Sequence, residues 1–219
     1  MKKNGSFVLA GVFGVIFALL LIGAKGVDVS VIGPANTSVG CSTVNAFVCD
    51  RVPVNDTMVL LSDLLFYASF AWVGVFAVIG LCQWIKRKSL KKVDTELYAL
   101  ACFYGVMAGV YVFFEKVIIN YRPVLEDGNT FPEASFPSSH AMLAIALYVS
   151  AAVLLGKYIK DKKICNIVRI VLTLLAVLTV IFRMFSGMHW FTDILAGVSI
   201  SLCLVFLYQG ICLRLNKEK

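Results

Sequence analysis

The only two histidines of the chain lie in polar segments that could together carry out phosphoryl transfer. His189 precedes Asp193 by four residues, so on a helix the two side chains would share one face. A carboxylate bonded to one imidazole nitrogen fixes the tautomer and leaves the other nitrogen free to attack phosphorus. His140 could then protonate the leaving oxygen. We therefore predict three catalytic residues, namely His140, His189 and Asp193.

Basic side chains near the histidines could hold the phosphate. Arg122 and Arg183 each present a planar fork that pairs with two phosphate oxygens, and Lys116 adds a third positive charge. A helix that begins just after Pro137 would direct its first backbone amides, aided by the helix dipole, at the same anion. We expect five residues to bind phosphate: Lys116, Arg122, Ser138, Ser139 and Arg183.

Metal chemistry is the weaker alternative for these polar residues. His189 and Asp193 could be a structural pair or half of a metal site, but a metal would need more ligands than two histidines without a thiol pair provide. Glu126, Asp127 and Glu133 could offer carboxylates to Mg²⁺, although a solvated loop is the simpler interpretation. We expect no metal and no other cofactor, because positioning and charge stabilisation suffice for phosphoryl transfer.

Long uncharged runs predict the membrane helices that must position these segments. Of the 219 residues, 60% are hydrophobic and 15% charged, whereas a soluble domain has about 45–50% apolar and about 25% charged residues. This composition excludes a soluble enzyme and a disordered chain. Since a spanning helix needs about 20 apolar residues, we predict an all-α membrane protein, a single domain of residues 1–219 with six transmembrane helices. The predicted spans are residues 7–24, 64–85, 97–114, 138–156, 170–182 (with 164–168 added) and 194–213.

The basic residues predict how these helices are oriented. Lys and Arg concentrate in cytoplasmic loops, and the chain has 20 of them and a net charge of +7. If both termini are cytoplasmic, the outer side keeps only five basic residues: Lys25, Arg51, Lys116, Arg122 and Arg183. We therefore predict an active site at the extracytoplasmic face. Two outer segments would surround it, a loop or cap at 25–63 and a loop with the first basic motif at 115–137.

Two cysteines lie in the first of these outer segments. Cys41 and Cys49 would meet oxidising conditions there, which allow a disulfide. We predict that they are bridged, with two free thiols as the alternative.

The three polar segments together resemble the type 2 phosphatidic acid phosphatase family of integral-membrane lipid phosphatases, whose motifs are K-x6-RP, PSGH and SR-x5-H-x3-D in this order. The third motif, at residues 182–193, has the family's spacing throughout, with phenylalanine in place of the serine. The second, at residues 137–140, reads Pro-Ser-Ser-His, with serine in place of the glycine. In the first, five residues instead of six separate Lys116 from Arg122, which turns the lysine by about 100° on a helix.

The resemblance implies that His189 forms a phosphohistidine, that Asp193 orients this imidazole and that His140 is the general acid. It also implies a multi-pass protein, expected in the bacterial plasma membrane, with a lipid phosphate substrate and membrane lipids as its partners and no nucleic acid. Bacterial relatives act on undecaprenyl diphosphate, phosphatidylglycerophosphate or phosphatidic acid, and the short six-span chain favours undecaprenyl diphosphate. A lipid phosphotransferase and an anion or lipid transporter remain open as alternatives.

Overall fold

The fold is a bundle of long helices with a short β-hairpin near one end. The structure, a computed structural model, describes residues 3–126 and 128–215, so Asp127 of the predicted carboxylate loop lies outside the described residues. The elements are α1 (Lys3–Gly26), β1 (Ser30–Gly33), β2 (Thr37–Val39), α2 (Ser42–Cys49), α3 (Asp56–Ser69), α4 (Ala71–Arg87), α5 (Thr95–Lys116), α6 (Ser139–Leu155), α7 (Lys162–Met184) and α8 (Phe191–Leu215). The prediction of a helical membrane protein is confirmed, although the antiparallel pair of β1 and β2 departs from the predicted all-α class.

In the part of the chain that the structure describes, five helical stretches are long and apolar enough to cross a membrane, against the six predicted. One of them is the continuous pair of α3 and α4, which covers 32 residues from Asp56 to Arg87. The stretch predicted at 138–156 forms α6, which has only 17 residues. Twelve of these are buried, because α6 packs against α7, α8 and α3. Its many alanines permit this close approach. Six spans therefore remain a prediction.

The prediction places the start of the second span too late in the chain. The helix starts at Asp56, where the Asn55 side chain accepts a hydrogen bond from the Met58 amide at 3.1 Å and so caps α3. Asp63, whose charge set the predicted boundary, lies inside α3. The predicted outer cap at 25–63 is therefore partly regular structure, namely the β-hairpin, α2 and the first two turns of α3.

The predicted disulfide between Cys41 and Cys49 is wrong, and both thiols are free. Cys41 is the N-cap of α2 and Cys49 is its last residue. A rise of 1.5 Å per residue separates their Cα atoms by about 12 Å along the helix, whereas a disulfide needs Cα atoms within about 7 Å.

The loop between α5 and α6 folds back on itself as a small irregular hairpin. The Arg122 amide donates to the carbonyl of Glu133 at 2.9 Å, and the Ser135 amide donates to the carbonyl of Asn120 at 2.9 Å. These two bonds bring both arms of the loop over the ends of α6 and α8. The described parts of the predicted outer segment, residues 115–126 and 128–137, therefore form one wall of the site.

A charged network closes the opposite end of the bundle. Asp94 accepts hydrogen bonds from Gln83 and Arg87 at 2.9 Å and from the Tyr158 hydroxyl at 3.2 Å, and it lies 3.3 Å from the Lys157 ammonium. Burial raises the pKa of this carboxyl, but the bonds from Arg87, Gln83 and Lys157 outweigh burial and lower the pKa to about 2. The network ties α4, α5 and the loop after α6 together, far from both histidines.

Candidate active site

The predicted nucleophile, His189, and the predicted carboxylate, Asp193, are joined through a serine that sequence reasoning missed. The Ser135 hydroxyl lies 2.5 Å from Asp193 Oδ2 and 3.0 Å from His189 Nδ1. The carboxylate can only accept, so the Ser135 proton points to Asp193 and the serine oxygen accepts from His189 Nδ1–H. The predicted direct bond between His189 and Asp193 is replaced by this bridge.

The start of α8 explains why the four-residue spacing does not give a shared helix face. α8 begins at Phe191, so His189 lies outside the helix while Asp193 occupies its first turn. Asp193 Oδ2 accepts from the Trp190 amide at 3.3 Å, the reach-back bond of a capping box. Asn120 holds the other carboxylate oxygen, Oδ1, at 3.2 Å. Asp193 is thus a fully buried anchor with three separate donors.

The bridge sets the tautomer of His189. With its proton on Nδ1, the imidazole presents the lone pair of Nε2, which faces Arg183 Nη2 at 3.3 Å. Burial, followed by the positive charges of Arg183 and Arg122, lowers the pKa of His189 well below its ordinary value. The imidazole is therefore held neutral, which is the nucleophilic form, with its free nitrogen at a guanidinium that can bind phosphate oxygens.

A tight loop places His189 between α7 and α8. Gly187 adopts a positive φ of 73°, and a Cβ there would lie 2.8 Å from the Val54 amide nitrogen and 2.9 Å from Pro53. The Ser186 carbonyl accepts from the Asn55 amide at 3.1 Å, which fastens the loop to the start of α3. Only glycine satisfies both the backbone conformation and the close approach.

His140 has a partner that was not predicted. Asp63 Oδ1 lies 3.0 Å from His140 Nε2 and 3.4 Å from Arg183 Nη1. The ring of Phe66, one turn along α3, packs against the His140 ring at a tilt of 36°, with centroids 4.2 Å apart. Asp63 thus connects the predicted acid to a predicted phosphate-binding arginine, and it occupies donors that a phosphate would use.

The two serines before His140 have different surroundings. The Ser138 amide donates to the carbonyl of Asp193 at 2.9 Å, so it is not the free amide that was predicted. Ser139 begins α6 and lines the narrow pocket beside His189. Among the described residues, no acceptor pairs with the amides of Ser139 and His140, which leaves both available to an anion at this helix start.

The predicted cations are unequally placed. Arg183 is 2% exposed and contacts His189, whereas Arg122 forms ion pairs with Glu126 and Glu133 on its own loop. Lys116 is exposed at the end of α5 and forms no ion pair or hydrogen bond with the described site residues. Its role in phosphate binding therefore stays a prediction.

The residue just before Lys116 lies in the pocket instead. Six residues separate Glu115 from Arg122, the spacing that the family motif gives to its lysine, and Glu115 lines the pocket with Ser139 and His189. This pocket thus has a carboxylate where the motif predicts a cation.

Three site residues had no motif to reveal them. Asn120 and Ser135 lie in the predicted outer loop without any distinguishing pattern, and Asp63 looked like the charged end of a loop. Of the predicted residues, the contacts described above connect five at one end of the bundle, namely Ser138, His140, Arg183, His189 and Asp193. Ser139 lines the pocket beside His189, and the charge of Arg122 is near enough to lower the pKa of His189.

Two known proteins are similar to this chain. Phosphatidylglycerophosphatase B from Bacillus subtilis (strain 168) is 36% identical over 100 residues, which are 44% of this chain and 46% of that protein, so the match spans about half of this relative. A structure described as the first transmembrane PAP2 type phosphatidylglycerolphosphate phosphatase from Bacillus subtilis superposes with a TM-score of 0.67. It is 24% identical and covers 96% of this chain and 97% of that chain, which shows that the fold is shared.

The match to a family covers every residue predicted for catalysis or phosphate binding. It extends over residues 113–214, from the end of α5 to the end of α8. The predicted resemblance is confirmed, because this segment of the chain matches the PAP2 superfamily.

Proposed function

We propose that this protein is a lipid phosphatase that removes the terminal phosphate of phosphatidylglycerophosphate through a phosphohistidine on His189. The observation that carries the proposal is the neutral His189, whose free nitrogen faces the buried Arg183 at 3.3 Å. Both Bacillus relatives are phosphatidylglycerophosphate phosphatases by name, which supports this substrate.

The proposed reaction has two displacements at phosphorus. His189 Nε2 attacks the phosphate, the bond from phosphorus to the lipid oxygen breaks, and a protonated His140 gives its proton to that oxygen. Water then attacks the phosphohistidine, His140 takes a proton from the water, and inorganic phosphate leaves with His189 restored. Arg183 and the free amides at the start of α6 would stabilise the charge that develops on the phosphate oxygens.

The proposed site faces the outside of the cell. The end of the bundle that holds His189 is the one predicted to be extracytoplasmic, because most basic residues lie at the other end or in loops predicted to be cytoplasmic. A lipid phosphate at the membrane surface would enter this end with its tails beside the helices.

Glu115 favours a phosphate monoester over a diphosphate. A carboxylate in the pocket repels the additional negative charge of undecaprenyl diphosphate. The same carboxylate can accept hydrogen bonds from hydroxyl groups, such as those of a glycerol headgroup. The sequence first suggested undecaprenyl diphosphate as the substrate, but the names of the two relatives do not support it. It is therefore included in the test as a competing substrate.

A panel of substrates tests the proposal with purified protein in EDTA. We expect phosphate release from phosphatidylglycerophosphate to exceed release from undecaprenyl diphosphate and phosphatidic acid by about tenfold in kcat/KM, a difference of ~1.4 kcal/mol. His189→Ala should abolish release from every substrate. Full turnover by this variant would refute the proposal.

The same preparation separates the remaining functions. A phosphotransferase would yield a new phosphorylated lipid instead of free phosphate. A transporter would move substrate into proteoliposomes even after both histidines are replaced by alanine.

A further inference from the structure

Two adjoining cavities open at the end of the bundle opposite His189. The first has a volume of about 600 Å³ and lies between the ends of α5, α6, α7 and α8. The second, of about 460 Å³, lies between α7 and the loop that follows α6. Both cavities are lined by Gly156, Lys157 and Arg169. These three residues therefore form the boundary that the two cavities share.

Arg169 is a half-buried cation on α7. It lies about 10 Å along α7 from Lys162, and its Nε donates to the carbonyl of Ala152 at 2.9 Å. Among the described residues, no carboxylate lies within ion-pair distance of its guanidinium. Lys157 differs, because Glu96 and Asp94 neutralise it. An arginine at this depth in a membrane protein is costly unless it is paired.

The neighbouring glycine leaves room for this guanidinium. A Cβ at Gly156 would overlap the guanidinium group of Arg169. The glycine therefore lets the charged group lie against the loop backbone, where both cavities meet. The hydrogen bond to Ala152 and the space above Gly156 hold the Arg169 guanidinium in this position.

The remaining lining matches the two parts of a phospholipid. The second cavity adds Lys160 and Lys162 and has no acidic residue among its lining. The first has aliphatic side chains on one wall, among them Val149, Val153 and Leu213, and its acidic lining residue, Glu96, forms an ion pair with Lys157. A phosphate group would be bound by the cations, while acyl chains would cover the aliphatic wall.

We infer that these cavities are a binding site for the phosphate group of an anionic phospholipid, with Arg169 as the central donor. The lipid would come from the leaflet opposite the active site. This inference does not depend on the proposed phosphatase activity, because no residue of the His189 site takes part.

Native mass spectrometry of the detergent-purified protein tests the site. The probes are phosphatidylserine, which is anionic and is neither the proposed substrate nor its product, and phosphatidylcholine, which has no net charge. We expect Arg169→Gln to weaken retention of phosphatidylserine about tenfold, the loss expected for one charge-assisted contact. Retention of phosphatidylcholine should not change.

Arg214→Gln is the matched control. It removes the same charge at the same end of the bundle, but the Arg214 guanidinium lies 4.4 Å over the Phe7 ring and lines neither cavity. Equal losses of phosphatidylserine in the two variants would overturn the inference, because they would indicate general attraction to basic charge.

Two further measurements keep the inference open to refutation if Arg169→Gln does not fold. Gly156→Ala keeps every charge but displaces the guanidinium, so it should also weaken phosphatidylserine retention. Inorganic phosphate at millimolar concentration should not displace the lipid. Displacement would identify the ligand as free phosphate and would overturn the assignment to a lipid.

Discussion

At the scale of single residues, the site depends on hydroxyl and carboxylate groups that lie between the expected partners. Ser135 relays the carboxylate of Asp193 to His189, and Asp63 joins His140 to Arg183. A relay through a hydroxyl still fixes the tautomer of the imidazole, because the serine proton is directed by the carboxylate. Both connecting residues can therefore be tested without removing a predicted catalytic group.

Ser135→Ala should reduce kcat by roughly tenfold to a hundredfold with little change in KM, because the nucleophile loses its tautomer control but the phosphate-binding groups remain. Steady-state kinetics measure this effect. Ser199→Ala is the control, since the Ser199 hydroxyl donates to the carbonyl of Leu195 within its own helix, α8. An unchanged kcat in Ser135→Ala would indicate that Asp193 acts directly on His189.

Asp63→Asn should lower kcat and KM together. The phosphate no longer competes with a carboxylate for Arg183, which lowers KM several-fold, while a protonated His140 loses its counter-charge, which lowers kcat by about tenfold. Asp56→Asn, in the first turn of the same helix and outside every described ion pair, should change neither constant. A rise in KM for Asp63→Asn would contradict this account.

The buried His189 should make the protein less stable in acid. Its pKa is lower in the folded chain than its ordinary value of 6.5, so below pH 6.5 the unfolded chain binds the proton more readily and stability falls. The loss amounts to at most about 1.4 kcal/mol per pH unit. Thermal unfolding at pH 7.5 and 5.5 should show a smaller acid shift in His189→Gln than in the unsubstituted protein, and an equal shift would refute the prediction.

At the scale of elements, helix ends and loops decide which polar groups meet. α6 begins at Ser139 and α8 at Phe191, so their first turns bring His140 and Asp193 to the same end of the bundle. The amide of Ser138 donates to the carbonyl of Asp193, which fixes the two helix starts against each other. The loop at Gly187 then sets the depth of His189.

Gly187→Ala should disturb this loop at a measurable cost. A side chain at φ +73° that also contacts the backbone at Pro53 and Val54 should destabilise the protein by about 1–3 kcal/mol and reduce activity with it. Gly109→Ala is the control, because a Cβ at this position in α5 meets no atom within 4 Å. Thermal unfolding in detergent compares the variants, and equal melting temperatures would contradict the prediction.

At the scale of the whole molecule, the two ends of the bundle are chemically different. One end collects the histidines with Arg122 and Arg183, and the other carries the Asp94 network and the cavities around Arg169. The helices between them are mostly apolar on the outside, as expected for contact with lipid. Orientation in the membrane therefore decides which aqueous compartment each site serves.

Protease sites inserted into two exposed loops test the predicted orientation. An insertion after Gly128, on the His189 side, should be cut by protease added to intact spheroplasts, because this loop is predicted to be extracytoplasmic. An insertion after Ile159, at the opposite end, should be cut only after lysis. The reverse pattern would place the site in the cytoplasm.

Much of the site could be predicted from residue types and their spacing. The two histidines, Asp193, Arg122 and Arg183 stood out because a chain with 15% charged residues places few of them near membrane helices. Hydropathy likewise predicted the long helices, since each needs a continuous apolar run. Each of these features depends only on the order of residues within one segment of the chain.

Only the tertiary structure decided how the segments connect. The roles of Ser135, Asn120 and Asp63 come from contacts between loops and helices that are distant in the chain, and their residue types are too common to mark them. Because α8 starts at Phe191, His189 and Asp193 do not share a helix face and are connected through Ser135. The helix α2 lies between Cys41 and Cys49 and keeps them too far apart for a disulfide. Local patterns determine which residues can do chemistry, whereas packing between helices determines which atoms come within reach of each other.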